Sequence, residues 1–190
     1  MNIQAIAIAA GISLALASSA GAAVTVLGSS SADLCSKAAF EGRSDSASLQ
    51  DCNDALINGM LDQHDTAGTY INRGVILMSR MSYELARADF DKSIAIDPTI
   101  GEAWVNRGAV NIIDKKYQDG ISDIDKGLSL GTEEPAKAYY NRAVAYEGID
   151  DEKSAYLDYQ QASTLKPDWT LPKQELLRFT VTRHDDQPTP

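Results

Sequence analysis

Few residues of this chain are typed and spaced to do chemistry. There are two cysteines, Cys35 and Cys52, and two histidines, His64 and His184. Two thiols with distant imidazoles lack the ligand spacing of a metal site, and with one histidine near each end of the folded region no Ser-His or Cys-His pair is expected. There is no phosphate-cradling glycine loop, no nucleophile elbow and no His-Glu-x-x-His stretch. The paired acids Asp150-Asp151 and Asp185-Asp186 fall in a turn and in the tail, and read as solvated charge. The expectation is a protein that is not an enzyme and carries no cofactor or metal. Two sets of polar residues do recur in phase. Asn72, Asn106 and Asn141 each stand immediately before an arginine, Arg73, Arg107 or Arg142. An Asn amide offers an acceptor oxygen and two N–H donors, which matches a backbone C=O and N–H whatever the sequence. Each arginine is followed 16 residues later by an acid: Asp89 (89 − 73), Asp123 (123 − 107) and Asp158 (158 − 142). A guanidinium fork fits a carboxylate.

The elements that must place these residues are helices. Trp104, Gly108 and Ile112 recur at steps of four; Ile121, Ile124 and Leu128 recur at steps of three and four. Asp114–Tyr117 leaves only a short turn between them, so the two helices run antiparallel, and the 16-residue spacing sets each arginine across its hairpin from its aspartate. Small residues at Gly74, Gly108 and Ala143, and at Ala86, Gly120 and Ala155 opposite, let paired helices approach closely. The whole pattern is written three times between Ala67 and Trp169. Tyr70-x-x-Arg73-Gly74 leads to Ala86-x-x-x-Phe90 and Pro98. Trp104-x-x-Arg107-Gly108 leads to Gly120-x-x-x-Ile124. Tyr139-x-x-Arg142-Ala143 leads to Ala155-x-x-x-Tyr159 and Pro167. The period is 34 (107 − 73) and then 35 (142 − 107) residues. Aromatic-x3-Gly, Ala-x3-aromatic and Pro at this period resemble the tetratricopeptide repeat.

The resemblance implies an all-α, right-handed solenoid with a concave groove, and a protein that binds other proteins or peptides. In that family the position of Asn72, Asn106 and Asn141 lies at the groove edge, where some members use an asparagine ladder to hold an extended peptide. Ile71, Val75, Val105, Ala109, Ile112, Tyr140 and Val144 would line the groove and make it apolar. Ile71 and Val75 stand where the co-chaperone members carry the first Lys and Asn of a carboxylate clamp, so that activity is not expected. The implied function is an adaptor holding an extended or apolar segment. The alternatives are a self-associating scaffold, with a second copy of the chain as partner, and a membrane-tethered assembly factor.

The chain ends add the compartment. Residues 1–22 contain no charged side chain, Ala5–Ala17 is an apolar run broken by Ser13, and Ala20-Gly21-Ala22 offers the small residues of a cleavage site. This reads as an export signal, with a retained anchor as the competing reading. Its removal leaves 168 residues (190 − 22) and a formal net charge of −10. Such an acidic chain repels nucleic acid and anionic membrane surfaces. Residues 23–31 read as a flexible leader and 32–66 as an N-terminal helical hairpin with a linker. Cys35 and Cys52 lie equally far from the Arg43–Ser44 turn, so they face each other, and an oxidising periplasmic or extracellular compartment would join them as a disulfide. The repeats then occupy 67–100, 101–135 and 136–169. Residues 170–180 are expected to form a capping helix, and 181–190 a disordered tail.

Overall fold

The computed structural model describes residues 2–5, 21–26 and 30–182; for 2–5 and 180–182 the description is of the backbone. The helices are α1 (Ser30–Phe40), α2 (Ser46–Asn58), α3 (Gln63–Ser79), α4 (Tyr83–Ile96), α5 (Gly101–Ile113), α6 (Tyr117–Leu130), α7 (Pro135–Gly148), α8 (Glu152–Leu165) and α9 (Thr170–Leu176). Successive pairs from α1/α2 to α7/α8 form four hairpins, and α9 lies against α8. Helices α1, α3, α5 and α7 touch in series and form the inner layer of an α-solenoid, with α2, α4, α6 and α8 outside. One short strand pair accompanies the helices: β1 (Asn2–Ala5) runs antiparallel to β2 (Phe179–Thr182), with Asn2 opposite Thr182 and Ala5 opposite Phe179.

The hairpins close because their contact faces are small and their turns are specified. A Cβ added at Gly108 would lie 2.8 Å from Ile124 Cγ1 and 2.9 Å from the Gly120 carbonyl oxygen. Only a bare backbone lets α5 and α6 come this near. Each inner helix of the three repeats ends the same way. Met81, Lys115 and Asp150 adopt positive φ, and the next N–H reaches back to a carbonyl five residues earlier: Ser82 to Leu77 (2.9 Å), Lys116 to Asn111 (2.8 Å), Asp151 to Tyr146 (2.9 Å). Orphan carbonyls at the helix ends are thereby satisfied.

Three departures from the sequence reading have local causes. Helix α3 begins at Gln63, inside the stretch read as linker, because the Asp62 carboxylate caps it by accepting the Asp65 N–H at 2.8 Å. Helix α9 stops at Leu176, short of the expected 180; Phe179 turns back to pack on Tyr156 and Tyr159 and opens β2. Ala23–Val26 of the expected leader are placed within the solenoid, and Ser30–Ser31 already belong to α1. The expected signal, 1–22, lies outside the described residues except for 2–5 and 21–22. The expected tail lies outside them from 183 onward.

Cys35 on α1 and Cys52 on α2 are joined as a disulfide, with Cα atoms 4.7 Å apart and both side chains buried. Around them Ala38, Ala39, Ala67, Ile71, Val75, Ile76 and Phe90 form a continuous core that also takes in Ala23. Among the described residues no helix is long and apolar enough to cross a membrane.

Candidate functional site

The three asparagines stand on successive inner helices, α3, α5 and α7, and all three are fully buried (0% exposed). Two of them hold the backbone of the segment Gly21–Val26, which has no regular secondary structure. Asn72 Oδ1 accepts the Val24 N–H at 2.8 Å, while its Nδ2 donates to the Val24 carbonyl at 2.7 Å. Asn106 repeats the contact on Ala22, accepting from N–H at 3.0 Å and donating to C=O at 2.9 Å. One repeat therefore corresponds to two residues of the bound segment (24 − 22). A two-residue step is the period at which an extended chain turns the same side to a surface. The Val24 carbonyl also accepts from Ser36 Oγ of α1 at 2.9 Å.

Asn141 breaks the series. Among the described residues neither its Oδ1 nor its Nδ2 has a hydrogen-bond partner. A buried amide with both ends unsatisfied costs more than an apolar side chain of similar size. We therefore expect Asn141→Ala to melt no lower than the parent chain, with a gain of up to about 1 kcal/mol, whereas Asn106→Ala, which strips two made bonds, melts lower. Parallel thermal melts of the two variants check this; equal losses in both would count against it.

The side chains around the segment are small or β-branched. A Cβ added at Gly21 would lie 2.6 Å from Val75 Cγ2 and 3.1 Å from Val75 Cβ. Ala22 and Ala23 are buried, Thr25 is exposed, and Val26 is buried with Ala32, Ala55 and Leu61. A Cβ added at Gly68 of α3 would meet Val26 at 2.9 Å and Val24 at 3.5 Å. Beside Gly21–Ala23 opens a cleft of about 320 Å³, edged by Glu41, Glu133, Glu134 and Lys137.

The other residues expected to line the groove divide. Ile71 and Val75 share the buried cluster of Ala23. Val105 and Ile112 instead pack within their own hairpin: Cβ atoms added at Gly127 and Gly120 would meet them at 2.5 and 2.7 Å. Tyr140 meets Tyr159 edge to face and Trp169 at a tilt, with centroids 5.3 and 5.0 Å away, and its hydroxyl donates to Glu175 at 3.4 Å. Val144, half-buried, sits between the clusters of the second and third repeats. Ala109 is buried on α5. Alternation of apolar residues on an inner helix does not separate the groove face from the hairpin face, and this is why the expected set was too wide. Burial pushes the hydroxyls of Tyr140 and Tyr159 well above the usual tyrosine range, with nearby Glu175 and Glu147 acting in the same direction, so both stay protonated donors.

The arginine–aspartate pairs are bidentate in all three repeats. Arg73 meets Asp89 at 2.7 and 2.8 Å, Arg107 meets Asp123 at 2.8 and 2.6 Å, and Arg142 meets Asp158 at 2.7 and 2.8 Å. Each guanidinium is raised above its ordinary value, chiefly by the hydrogen bond to its aspartate and against the effect of burial. Each also lies over an aromatic ring: Tyr70, Trp104 or Tyr139, at 5.4, 4.8 and 5.1 Å. The remaining nitrogen reaches the outer helix of the preceding hairpin. Arg73 donates to Asn53, Arg107 to Asp91 and Arg142 to Asp125. This stitch between repeats was not read from the sequence. Its signal is the doubled acid, Asp89-x-Asp91 and Asp123-x-Asp125, one carboxylate for each of two arginines.

Three copies in phase, folded as stacked hairpins, are joined by a direct match. The family model described as Tetratricopeptide repeat matches residues 136–168. Residues 136–168 form a tetratricopeptide repeat, and the rest of the chain shares the fold of tetratricopeptide-repeat domains. Among curated relatives, a DnaJ homolog subfamily C member 7 homolog of Schizosaccharomyces pombe is 27% identical over 114 residues, covering 58% of this chain and 24% of that protein. The chain thus spans about a quarter of that relative's length. Among solved structures, MamA of Desulfovibrio magneticus has a TM-score of 0.60 at 21% identity, covering 79% of this chain and 84% of that one. The Arabidopsis OM64 tetratricopeptide domain has 0.58 at 20% identity, covering 61% and 95%. The second such domain of human RPAP3, in complex with an HSP70 peptide, has 0.55 at 23% identity, covering 60% and 95%. These likenesses establish the fold.

Proposed function

We propose that this chain is a non-enzymatic adaptor that grips an extended, uncharged segment of a partner protein along its inner face, chiefly through the partner's backbone. The observation that carries the reading is the reciprocal pair of bonds that Asn72 and Asn106 each make to one backbone residue. Backbone bonding gives affinity without a sequence code, and the close fit at Gly21 and Ala22 supplies a preference for small side chains. Solved relatives include a domain holding an HSP70 peptide. Here Ile71 and Val75 occupy the positions of the clamp, and Glu41, Glu133 and Glu134 edge the cleft, which argues against acidic peptide ends as ligands. The Cys35–Cys52 disulfide and the uncharged first 22 residues favour work in an oxidising compartment outside the cytoplasm.

N-methylation of arrayed octapeptides tests this with the full chain. Methylating a residue whose N–H faces an asparagine should weaken binding about tenfold, and methylating its neighbours should not. Equal sensitivity at every position would mean side-chain recognition and would sink the backbone reading. A second copy of the chain as partner is favoured by one observation, the fit of the groove to this chain's own Gly21–Val26. A sedimentation mass that rises with concentration would support it.

A further inference from the structure

We propose that Gly21–Val26 is a built-in competitor for the groove, and that the partner it holds off is a longer extended segment of the same small-residue character that also engages Asn141. This rests on the peptide-groove reading and specifies its ligand and its regulation. The internal segment satisfies two of three in-phase asparagines, at Val24 and Ala22. The third, fully buried on α7, has both amide atoms without a partner among the described residues. A strand entering from outside and keeping the two-residue step would satisfy all three. It would gain the bonds that the internal segment leaves unmade, which offsets part of the advantage that a tethered competitor has.

The internal segment also states what the ligand must look like. At the position of Gly21 there is no room for a Cβ, since the nearest atoms belong to the short, buried Val75 side chain. The next two residues, Ala22 and Ala23, are buried; Thr25 faces solvent. The groove therefore takes Gly-small-small-β-branched in extended form, with no charge over the central repeat. Longer side chains would have to lift the strand off Asn106.

The experiment uses the full chain and a labelled synthetic octapeptide, Ser-Ala-Gly-Ala-Ala-Val-Thr-Val, which copies residues 19–26. Fluorescence anisotropy is read for the parent chain and for two variants that loosen the internal strand. Gly21→Val drives a side chain into Val75; Ala22→Pro removes the N–H that Asn106 accepts. Both should bind the probe roughly ten- to a hundredfold more tightly than the parent, the worth of one two-bond rung. Adding Asn141→Ala to either should return about tenfold of that gain. A probe carrying valine in place of its glycine should bind both variants at least about tenfold more weakly. Circular dichroism confirms that each variant is folded, and Ala22→Pro serves if Gly21→Val is not. Equal, measurable binding by parent and variants would overturn the competition while leaving the groove reading in place. No binding by any of them would overturn both.

Discussion

Asp123→Ala should lower the stability of this chain by about 2–4 kcal/mol. Two partners lose their acceptor at once. The Arg107 fork loses both bonds to the carboxylate, and Asn111 Nδ2, which donates to Asp123 Oδ2 at 2.9 Å, loses its own. Breaking a buried pair by removing one side leaves an uncompensated charge, which costs about 3–5 kcal/mol when burial is complete. Here the Arg107 side chain keeps 22% of its exposure and still reaches Asp91, so the lower part of that range applies. The double variant Arg107→Ala, Asp123→Ala removes the stranded charge and should be less damaged than the sum of the singles. Urea titrations of the four proteins measure the coupling; strictly additive losses would refute it.

The second large effect is expected at the first hairpin. Replacing Cys35 and Cys52 together by alanine should remove about 3 kcal/mol, since the bond closes a loop of 17 residues. The loss should be local. Helices α1 and α2 are short, and among the described residues no second hairpin packs on their open side, so the disulfide does for them what a neighbouring repeat does for the others. Ser36, beside Cys35, holds the Val24 carbonyl. Amide exchange at Val24 should therefore accelerate in the double variant while exchange in α7 and α8 stays slow. Uniform acceleration across all hairpins would show that the bond stabilises the solenoid as one unit instead.

The parts of this molecule that were legible in its sequence are those that repeat. A small residue on one helix opposite a small residue on the other, an arginine 16 residues before an aspartate, and an aromatic under each guanidinium all recur at one period, and recurrence separates a constraint from chance. The disulfide was legible because two cysteines in a short hairpin have one way to meet. What was not legible occurs once. Gly21–Val26 carries one polar side chain, the exposed Thr25, and reads as the tail of an apolar leader; its contribution lies in its backbone, which composition does not display. Its sign is the run of three small residues followed by Val-Thr-Val, the alternation of an extended chain. The division of labour among Ile71, Val105, Ile112 and Tyr140 was hidden for a different reason. On a helix packed on both sides every inner position is apolar, and only the neighbour's shape decides which way it faces.

The inter-repeat stitch has an end written into it. Asp91 and Asp125 each serve the arginine of the next repeat, and the matching position on α8 is Gln160, exposed, while Arg178 beyond α9 pairs with Glu147 and Glu175 instead.

The burial of Ala22 and Ala23, at 4% and 5% exposure, has a consequence in time. A protease needs several residues of slack, extended chain to seat a peptide bond. Once the inner face has closed on this segment, the bond between these two alanines is out of reach. An enzyme that trims the chain there must act on the nascent polypeptide, ahead of the hairpins. Were the chain cut there, the order of two events, cutting and folding, would decide which of two lasting products a cell accumulates: one with its own strand seated across two repeats, the other beginning at Ala23 with Asn106 uncovered. Slowing translation or speeding collapse would change their ratio without altering a single residue.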